Sequence, residues 1–430
     1  MTAFRASGAR LLVAAVLSAV AATDAAIAQN PCCELAGRDT ADRFRVGAIA
    51  DRRFTHAELW VALAPYLDRA GVSVTTVGHS VQGRAIRAVT FGSGPVRVLL
   101  WSQMHGDEST ATMALADVIR AFAEGGADPL RSLIDERLTV TMIPMLNPDG
   151  AERFQRYNAA GVDINRDARR LATPEAAALK AVRDSLEPAF GFNLHDQGAR
   201  TAAGPGGLQV AIALLAPAAD SARTYGPVRS RARQLAAQLA VGLHQRIPGR
   251  VAKYDDTFTP RAFGDLIQQW GTSTVLIESG ALPDDSEKQE LRWLNVALLL
   301  SALEVIATES YAEADPETYE QLPVNHRVAN DLLLLGGQVV LPDGSALPVD
   351  LALSYDDPVA QRGLLIGDIG DLHEVQAMDT LDVRGLYLHV ATPSTLDPRN
   401  WWLVRGEPIA VVVRRGGDPQ SQVVRRIPEP

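Results

Sequence analysis

Four ionisable side chains follow short apolar runs, at points where buried strands are expected to give way to loops. His105 and Glu108 stand in "QMHGDEST" after the run "VRVLLWS", His195 in "GFNLHDQG" and Glu278 in "STVLIESG". Two histidines and one carboxylate can hold zinc and leave a fourth position for water, as in catalytic sites. Glu278 is then the candidate base for that water. A His-x-x-Glu pair alone also fits a solvated loop, so the hypothesis depends on the set of four.

The segments that carry these residues alternate between strand-like and helix-like patterns. "VRVLLWSQ" predicts a strand buried in a parallel sheet, "STATMALADVIRAFAEGG" a helix, and "LTVTMIPMLNPDG" the next strand. The alternation continues to about Ala312 and predicts a doubly wound α/β domain. Ligands bind at the carboxyl ends of strands in such sheets, so residues far apart in sequence can meet there.

A change of character near Leu322 indicates a second domain. Short β-like runs separated by Gly, Pro and Asp follow, which predicts a small β-sandwich or barrel-like module. We therefore divide the chain into four predicted segments: a signal peptide over 1–28, an N-terminal extension over 29–48, a catalytic domain over 49–312 and a β-rich domain over 322–430.

The N-terminus has the pattern of a secretory signal peptide. Arg5 and Arg10 precede an apolar stretch over 11–22, and small residues lead to a predicted cleavage point near Ala28. The stretch is short for a membrane span, although an uncleaved anchor is the alternative. We expect a secreted or periplasmic protein with no membrane span in the mature chain.

Composition and cysteine content exclude several classes of protein. The 430 residues are 47% hydrophobic and 21% charged, with a net charge of −10, so a soluble globular protein is indicated and nucleic-acid binding is not. Cys32 and Cys33 are adjacent, and Cα atoms about 3.8 Å apart are poor disulfide partners. No disulfide framework is expected.

Several motifs, taken in order, resemble the zinc carboxypeptidases of the carboxypeptidase A type. "HGDE", "NPDG", "RYNAAGVDINR" and "IES" occur in that family's order, and "GHSVQGRAI" resembles its Gly-x-Ser-x-x-Gly-Arg segment. The resemblance covers about residues 50–310 and implies a mixed sheet flanked by helices. It also implies one zinc ion per chain bound by His105, Glu108 and His195, with Glu278 as general base.

The resemblance further implies roles for five residues around the metal. Arg156 would polarise the scissile carbonyl, while Asn165 and Arg166 would clamp a terminal carboxylate. A bidentate guanidinium suits a planar carboxylate, and a fixed cation stabilises a developing oxyanion. Asp163 would accept a hydrogen bond from the first histidine and fix its tautomer, and Arg84 would be an auxiliary substrate-side arginine.

Some features depart from the family pattern. His105 and His195 are 90 positions apart, which is short for the digestive enzymes. Tyr254 is the nearest candidate for the substrate-side tyrosine, but its surrounding motif matches poorly, and Arg261 is the alternative substrate contact. The residue at the floor of the specificity pocket cannot be identified, so the substrate preference stays open.

Other polar residues have simpler interpretations. Asn147 and Asp149 in "NPDG" are interpreted as turn formers. His79 and His244 lie outside the motifs and are expected at the surface or on a helix. Asp107 and Asp196 stand beside predicted ligands, and the sequence leaves open whether they support the ligands or are simply exposed.

The leading hypothesis is a secreted metallocarboxypeptidase that hydrolyses the C-terminal bond of peptides with a zinc-activated water. A carboxypeptidase or amidase of cell-wall peptides is the alternative within hydrolases, so the expected partner is a peptide or a peptidoglycan peptide. A catalytically inactive binding protein on the same fold is the alternative from another class, although no ligand or base is missing. The sequence does not determine the oligomeric state.

Overall fold

The computed structural model describes residues 35, 37–126, 128–392 and 402–428. The predicted signal peptide and the two cysteines lie outside the described residues.

The described helices lie in the first three quarters of the chain. The α-helices are α1 Arg38–Arg43, α2 His56–Leu67, α3 Thr110–Glu124, α4 Pro129–Arg137, α5 Pro148–Arg153, α6 Pro174–Leu186, α7 Pro227–Arg246, α8 Phe263–Gln269, α9 Gln289–Thr308 and α10 Glu317–Glu320. Single 3₁₀ turns are formed by Ile164–Arg166 and Ser310–Glu313.

The described strands fall into a group interleaved with helices and a group that follows them. The first group is β1 Val72–His79, β2 Ala85–Phe91, β3 Val96–Ser102, β4 Leu138–Ile143, β5 Phe190–Asp196, β6 Thr201–Ala203, β7 Ile212–Leu215, β8 Val251–Lys253 and β9 Ser273–Ser279. The second group is β10 Asn325–Arg327, β11 Asn330–Leu335, β12 Gln338–Val340, β13 Ala346–Pro348, β14 Asp350–Asp357, β15 Arg362–Gly370, β16 Ala377–Asp382, β17 Tyr387–Ala391, β18 Ala410–Arg414 and β19 Val423–Ile427.

An eight-stranded mixed sheet forms the centre of the first group, in the order β1-β2-β4-β3-β5-β9-β7-β8. The middle strands β4, β3, β5 and β9 run parallel, whereas β1 and β2 pair antiparallel and β7 pairs antiparallel with β9. The predicted mixed α/β sheet flanked by helices is confirmed. The parallel centre matters for function because it brings the carboxyl ends of β3, β5 and β9 to one edge.

Continuous burial explains why the central strands read as apolar runs. Every residue of β9 is buried, as are six of the seven residues of β5. Helices therefore cover both faces of these strands, as parallel sheets require. Among the described residues, α9 alone is long and apolar enough to cross a membrane, and 83% of its most apolar window is buried inside the protein.

The chain folds into two compact units. The first contains the described residues up to 196 together with 212–279 and 290–323, and the second contains 197–211, 280–289 and the described residues from 324 onward. The second unit therefore takes in two segments that directly follow strands of the large sheet, the first after β5 and the second after β9. The sequence-based domain boundaries remain predictions.

Two sheets form the body of the second unit. One has the strand order β15-β14-β11-β16 and the other β13-β12-β17-β18-β19, while β10 pairs separately with β6. Apolar side chains from both sheets join one core, which includes Leu334 and Leu353 of the first sheet and Leu388 and Val411 of the second. Two sheets that share a core in this way form a sandwich, as the run of short strands indicates.

The residues just before α2 pack into the first unit instead of extending from it. Phe44, Val46 and Ile49 are buried. The Asp117 carboxylate on α3 accepts a hydrogen bond from Val46 N at 2.7 Å, and the Arg292 guanidinium on α9 donates to both Asp117 and Val46 O. Because this ion pair is buried, losing either partner would leave an uncompensated charge. The last part of the predicted N-terminal extension is thus integral to the first unit.

Candidate metal centre and active site

Neighbouring strands of the large sheet bring the predicted ligands together. His105 and Glu108 lie in the loop that follows β3, and His195 lies near the end of the adjacent strand β5. His195 pairs in register with Glu278 on β9, so the two side chains leave the same face of the sheet side by side. Parallel strands that end together therefore assemble the four residues predicted from separate motifs.

The loop after β3 has no room for a side chain at Gly106, the second residue of the "HGDE" motif. A Cβ placed on Gly106 would lie 2.0 Å from the backbone carbon of Gly150, at the start of α5. Glycine is therefore required in "HGDE" because the backbone of the "NPDG" segment lies against it. Asn147 Nδ2 also donates to Met104 O at 3.2 Å, a contact across 43 positions that further connects the two motifs.

The atoms of the predicted ligands converge closely. His105 Nδ1 lies 2.7 Å from Glu108 Oε1, and His195 Nδ1 lies 2.7 Å from Glu108 Oε2. The two Nδ1 atoms are 3.2 Å apart, and one donor atom from each residue lies within 4.8 Å of the others. Both histidines are buried, at 3% and 2% exposure, which excludes a solvated loop. The structure thus forms a buried His-Glu-His group.

This donor set fits a zinc ion. Two nitrogens bound to one zinc at about 2.0–2.1 Å in tetrahedral geometry lie roughly 3.3 Å apart, close to the separation found here. His105 Nε2 is 3.1 Å from Asp163 Oδ1, so a proton on Nε2 is donated to the carboxylate and the Nδ1 lone pair faces the centre. His105, His195 and Glu108 are therefore the residues that could hold the metal.

The electrostatics of the group reflect burial and close opposite charge. Desolvation would lower the pKa of His105, but Glu108 and Asp163 outweigh it and raise that pKa to about 9. Burial lowers the pKa of His195, although the nearby Glu108 carboxylate acts in the opposite direction. The pKa of Glu108 lies well below its usual range, since the two histidines overcome its desolvation. A carboxylate that stays ionised when buried is suited to a cation.

Arg156 and Asp163 form a second pair beside the ligands. The Arg156 guanidinium donates to Asp163 Oδ2 from Nε at 3.0 Å and from Nη2 at 2.8 Å. Its remaining Nη1 lies 3.2 Å from His105 Nδ1 and 3.4 Å from Glu108 Oε1. Asp163 thus contacts both a predicted ligand and the predicted electrophile, and it fixes their relative position.

Glu278 is buried with 8% exposure, and no other described residue forms a hydrogen bond or ion pair with its carboxyl group. Burial raises its pKa well above the usual range, with the neighbouring charge of Glu108 as the next cause. A bound divalent cation would oppose that rise, because it is the largest local charge in such a site. A carboxylate held beside the ligands without a protein partner is available for proton transfer.

The predicted carboxylate clamp is only partly assembled. Arg166 is exposed, and its Nη1 donates to Asn165 O at 2.7 Å. The Asn165 carboxamide is buried, with Oδ1 accepting from Phe263 N at 2.9 Å and Nδ2 lying 3.5 Å from His195 Nε2. The guanidinium of Arg166 is therefore accessible to a substrate, whereas the Asn165 side chain already connects α8 to a predicted ligand.

Arg84 and Tyr254 are placed less directly. Arg84 Nη1 donates to Asp149 Oδ1 and to Gln82 Oε1, both at 2.6 Å. Tyr254 follows β8, is half-buried, and its backbone N donates to Leu214 O at 2.9 Å. The substrate-side roles of Arg84 and Tyr254 stay predictions.

The interpretation of Asp149 as a simple turn former was wrong. Its carboxylate is buried and accepts from Ser80 Oγ at 2.7 Å and Gln82 N at 2.9 Å as well as from Arg84. Asn147 does act as expected, since its side chain caps α5 by accepting from Gly150 N. The spacing of "NPDG" gave no sign that the aspartate holds a distant loop.

The two acidic neighbours left open by the sequence differ in position. The backbone N of Asp196 donates to Glu108 Oε2 at 3.1 Å, and its carboxylate accepts from Thr110 Oγ1 at 2.6 Å. Asp196 therefore supports the Glu108 carboxylate. Asp107 is half-buried, and its pKa is raised by burial and by Glu108.

Replacing His105 with Ala is expected to abolish tight zinc binding, because two remaining ligands are too few for a stable site. Elemental analysis should find one zinc per chain in the unchanged protein and almost none in the variant. His79→Ala provides the matched control, since His79 lies at the exposed end of β1. Undiminished zinc in His105→Ala would contradict the ligand assignment.

A mixed α/β sheet with a buried His-Glu-His group at the ends of its parallel strands is the arrangement that the sequence motifs indicate. Residues 68–196 match the family model described as zinc carboxypeptidase. That range contains the predicted ligands and the motifs between them, so the recognised resemblance to zinc carboxypeptidases is confirmed.

Curated relatives match about a quarter of the chain. "Carboxypeptidase 2" of Trichophyton rubrum is 29% identical over 113 residues, which are 26% of this chain and 21% of that protein. The protein of the same name from Trichophyton tonsurans gives the same values. The chain thus spans about a fifth of the length of these relatives.

The solved structures that resemble part of this chain include two metallo-carboxypeptidases. A metallo-carboxypeptidase from Burkholderia cenocepacia is 18% identical, with a TM-score of 0.49 over 60% of this chain and 70% of that one. A metallo-carboxypeptidase from Pseudomonas aeruginosa, in complex with (2-guanidinoethylmercapto)succinic acid, is 20% identical, with a TM-score of 0.46 over 60% and 70%.

Proposed function

We propose that this protein is a secreted or periplasmic zinc metallocarboxypeptidase that removes the C-terminal residue of peptides. The observation that carries the proposal is the convergence of His105, Glu108 and His195 beside the buried carboxyl group of Glu278. The family match over residues 68–196 and the names of the curated relatives support it. The signal-like N-terminus supports the proposed location.

Proton transfer is assigned to Glu278. When bound, zinc supplies Lewis acidity, which acidifies water and polarises a carbonyl group. The Glu278 carboxylate accepts the proton of the attacking water and then delivers it to the nitrogen that leaves. Because Glu278 pairs in register with His195, this proton transfer takes place next to the predicted ligands.

Arg156 is assigned to the charge that develops on the scissile carbonyl oxygen. Its guanidinium lies beside the ligand group and is held by two hydrogen bonds to Asp163. Because those bonds fix the cation before the substrate arrives, little reorganisation is needed when negative charge develops. Asp163 also accepts from His105, so one carboxylate positions both groups.

Recognition of a free C-terminus is assigned to Arg166, with Asn165 beside it. The exposed guanidinium can form a bidentate pair with a terminal carboxylate. Because Asn165 also lies next to His195, a substrate clamped there is placed close to the predicted ligands. This arrangement favours exopeptidase action on the last peptide bond.

A peptide-library digest of the zinc-loaded protein, with products identified by mass spectrometry, tests the proposal. We expect loss of single C-terminal residues and no internal cleavage. Peptidoglycan peptides belong in the same experiment, because cleavage confined to them would favour the cell-wall alternative. Internal products, or no cleavage of any substrate by fully zinc-loaded protein, would contradict the proposed activity.

A further inference from the structure

Two chain segments leave the candidate active site and fold into the second unit. Residues 197–211 directly follow the end of β5, which carries His195, and residues 280–289 directly follow β9, which carries Glu278. Asp196, the last residue of β5, donates its backbone N–H to Glu108. The path of the chain just beyond each strand therefore bears on groups assigned to metal binding and catalysis.

Backbone pairing builds the first segment into the β-rich unit. β6 pairs antiparallel with β10, in a register that runs from Thr201 opposite Arg327 to Ala203 opposite Asn325. Additional backbone bonds flank this pair, with Val328 N donating to Arg200 O and Gly204 N to Val324 O, both at 3.1 Å. The segment after His195 thus forms part of a strand pair within the second unit.

A charged junction secures the same segment. Arg200 Nη1 donates to Asp331 Oδ2 at 2.8 Å and to Tyr355 O at 3.1 Å, while Tyr355 N donates to the same Asp331 oxygen at 2.7 Å. The Asp331 side chain is only 12% exposed and that of Arg200 30%. A partly shielded pair with added backbone bonds holds its geometry better than an exposed surface pair.

The second segment is attached to the first. Gly280 N donates to Ala211 O at 2.8 Å, and Ala281 N donates to Val210 O at 3.1 Å. A Cβ on Gly280 would lie 2.0 Å from Val210 O, so only glycine permits this approach. Val210 N in turn donates to Thr201 O at 2.8 Å, which extends the chain of hydrogen bonds back to β6.

We propose that the β-rich unit positions the candidate active site by holding the segments after His195 and Glu278, with Arg200 as the positioning residue that anchors them. The inference rests on the proposed function, because it assigns the unit a role at that site. Loosening the segment after Asp196 would free the backbone N–H that fixes Glu108. The metal ligand would then be less ordered, as when other supporting hydrogen bonds around metal ligands are removed.

Arg200→Met removes the charge and keeps the aliphatic stem, and Asp331→Asn removes the opposite charge. In the full chain, each is expected to increase amide hydrogen exchange in 197–211 and 280–289 and to raise the zinc dissociation constant about tenfold. The double variant should be no weaker in zinc binding than the weaker single variant, because the two residues act through one junction. Arg200→Lys keeps the charge and should recover most of the affinity.

Arg384→Met is the matched control. It breaks another arginine–aspartate pair of the second unit, with Asp382, whose side chains are 80% and 58% exposed. We expect unchanged exchange in the two segments and unchanged zinc affinity. Equal effects of Arg200→Met and Arg384→Met, or normal zinc affinity in Arg200→Met, would overturn the proposal.

The two readouts separate this inference from the proposed function. Hydrogen exchange and zinc affinity require no substrate. An unchanged protein that binds zinc but cleaves no peptide would contradict the peptidase proposal and leave the positioning role intact. A protein that cleaves peptides but whose zinc affinity does not change in Arg200→Met would contradict the positioning role and leave the peptidase proposal intact.

Discussion

Replacing Glu278 with Gln is expected to lower kcat by roughly 10² or more while zinc content and folding persist. The amide has nearly the same volume as the carboxyl group, but it cannot accept the proton of the attacking water. Glu278 has no hydrogen-bonding partner among the described residues, so the substitution should break no structural contact. Steady-state kinetics, elemental analysis and thermal unfolding of the same preparation measure the three quantities.

The control for this variant is Glu136→Gln, which makes the same chemical change at an exposed position near the end of α4. It should leave kcat unchanged. Near-normal turnover in Glu278→Gln would mean that another group accepts the proton. Glu278 would then be a buried carboxyl group without the assigned role.

Amidation of the substrate C-terminus is expected to reduce cleavage steeply, by about 2 to 5 kcal/mol in transition-state stabilisation. The amide removes both the charge and the bidentate acceptor that Arg166 is assigned to bind. Arg166→Ala should likewise weaken the acid substrate strongly and the amidated substrate hardly further, because that interaction is already absent there. The measurement is kcat/KM for the four enzyme and substrate combinations.

Arg169→Ala controls for general loss of positive charge, since Arg169 is exposed and only three positions away. It should affect both substrates little. Equal rates on acid and amide in the unchanged enzyme would exclude a terminal-carboxylate clamp. An amidase or endopeptidase on the same scaffold would then be favoured.

Several features could be predicted from the sequence because each has a local signal. The strands β3, β5 and β9 are buried on both faces and therefore appear as continuous apolar runs, with His105, His195 and Glu278 directly after or near their ends. Residues at the ends of parallel strands meet at one edge, so these positions predict a shared site. The mixed α/β class follows from the same alternation of strands and helices.

Some short helices and strands could not be predicted from the sequence, because they are too short to show a recognisable pattern. β7 and β8 contain four and three residues, which is too few for a hydrophobic period to appear. α5 has six residues and begins within "NPDG", where the sequence indicates only a turn. The sheet is therefore wider than its recognisable strands suggest.

The tertiary structure alone decided which distant polar groups pair. Asp149 is buried because the loop containing Ser80 and Arg84 folds over it, 65 positions away from the arginine. Arg200 holds Asp331 across 131 positions, and so the segment after His195 joins the β-rich unit. Residue type and spacing report what a side chain can do and how its own element is buried. A hydrogen bond between distant segments depends on how those segments pack, and neither partner's local sequence records it.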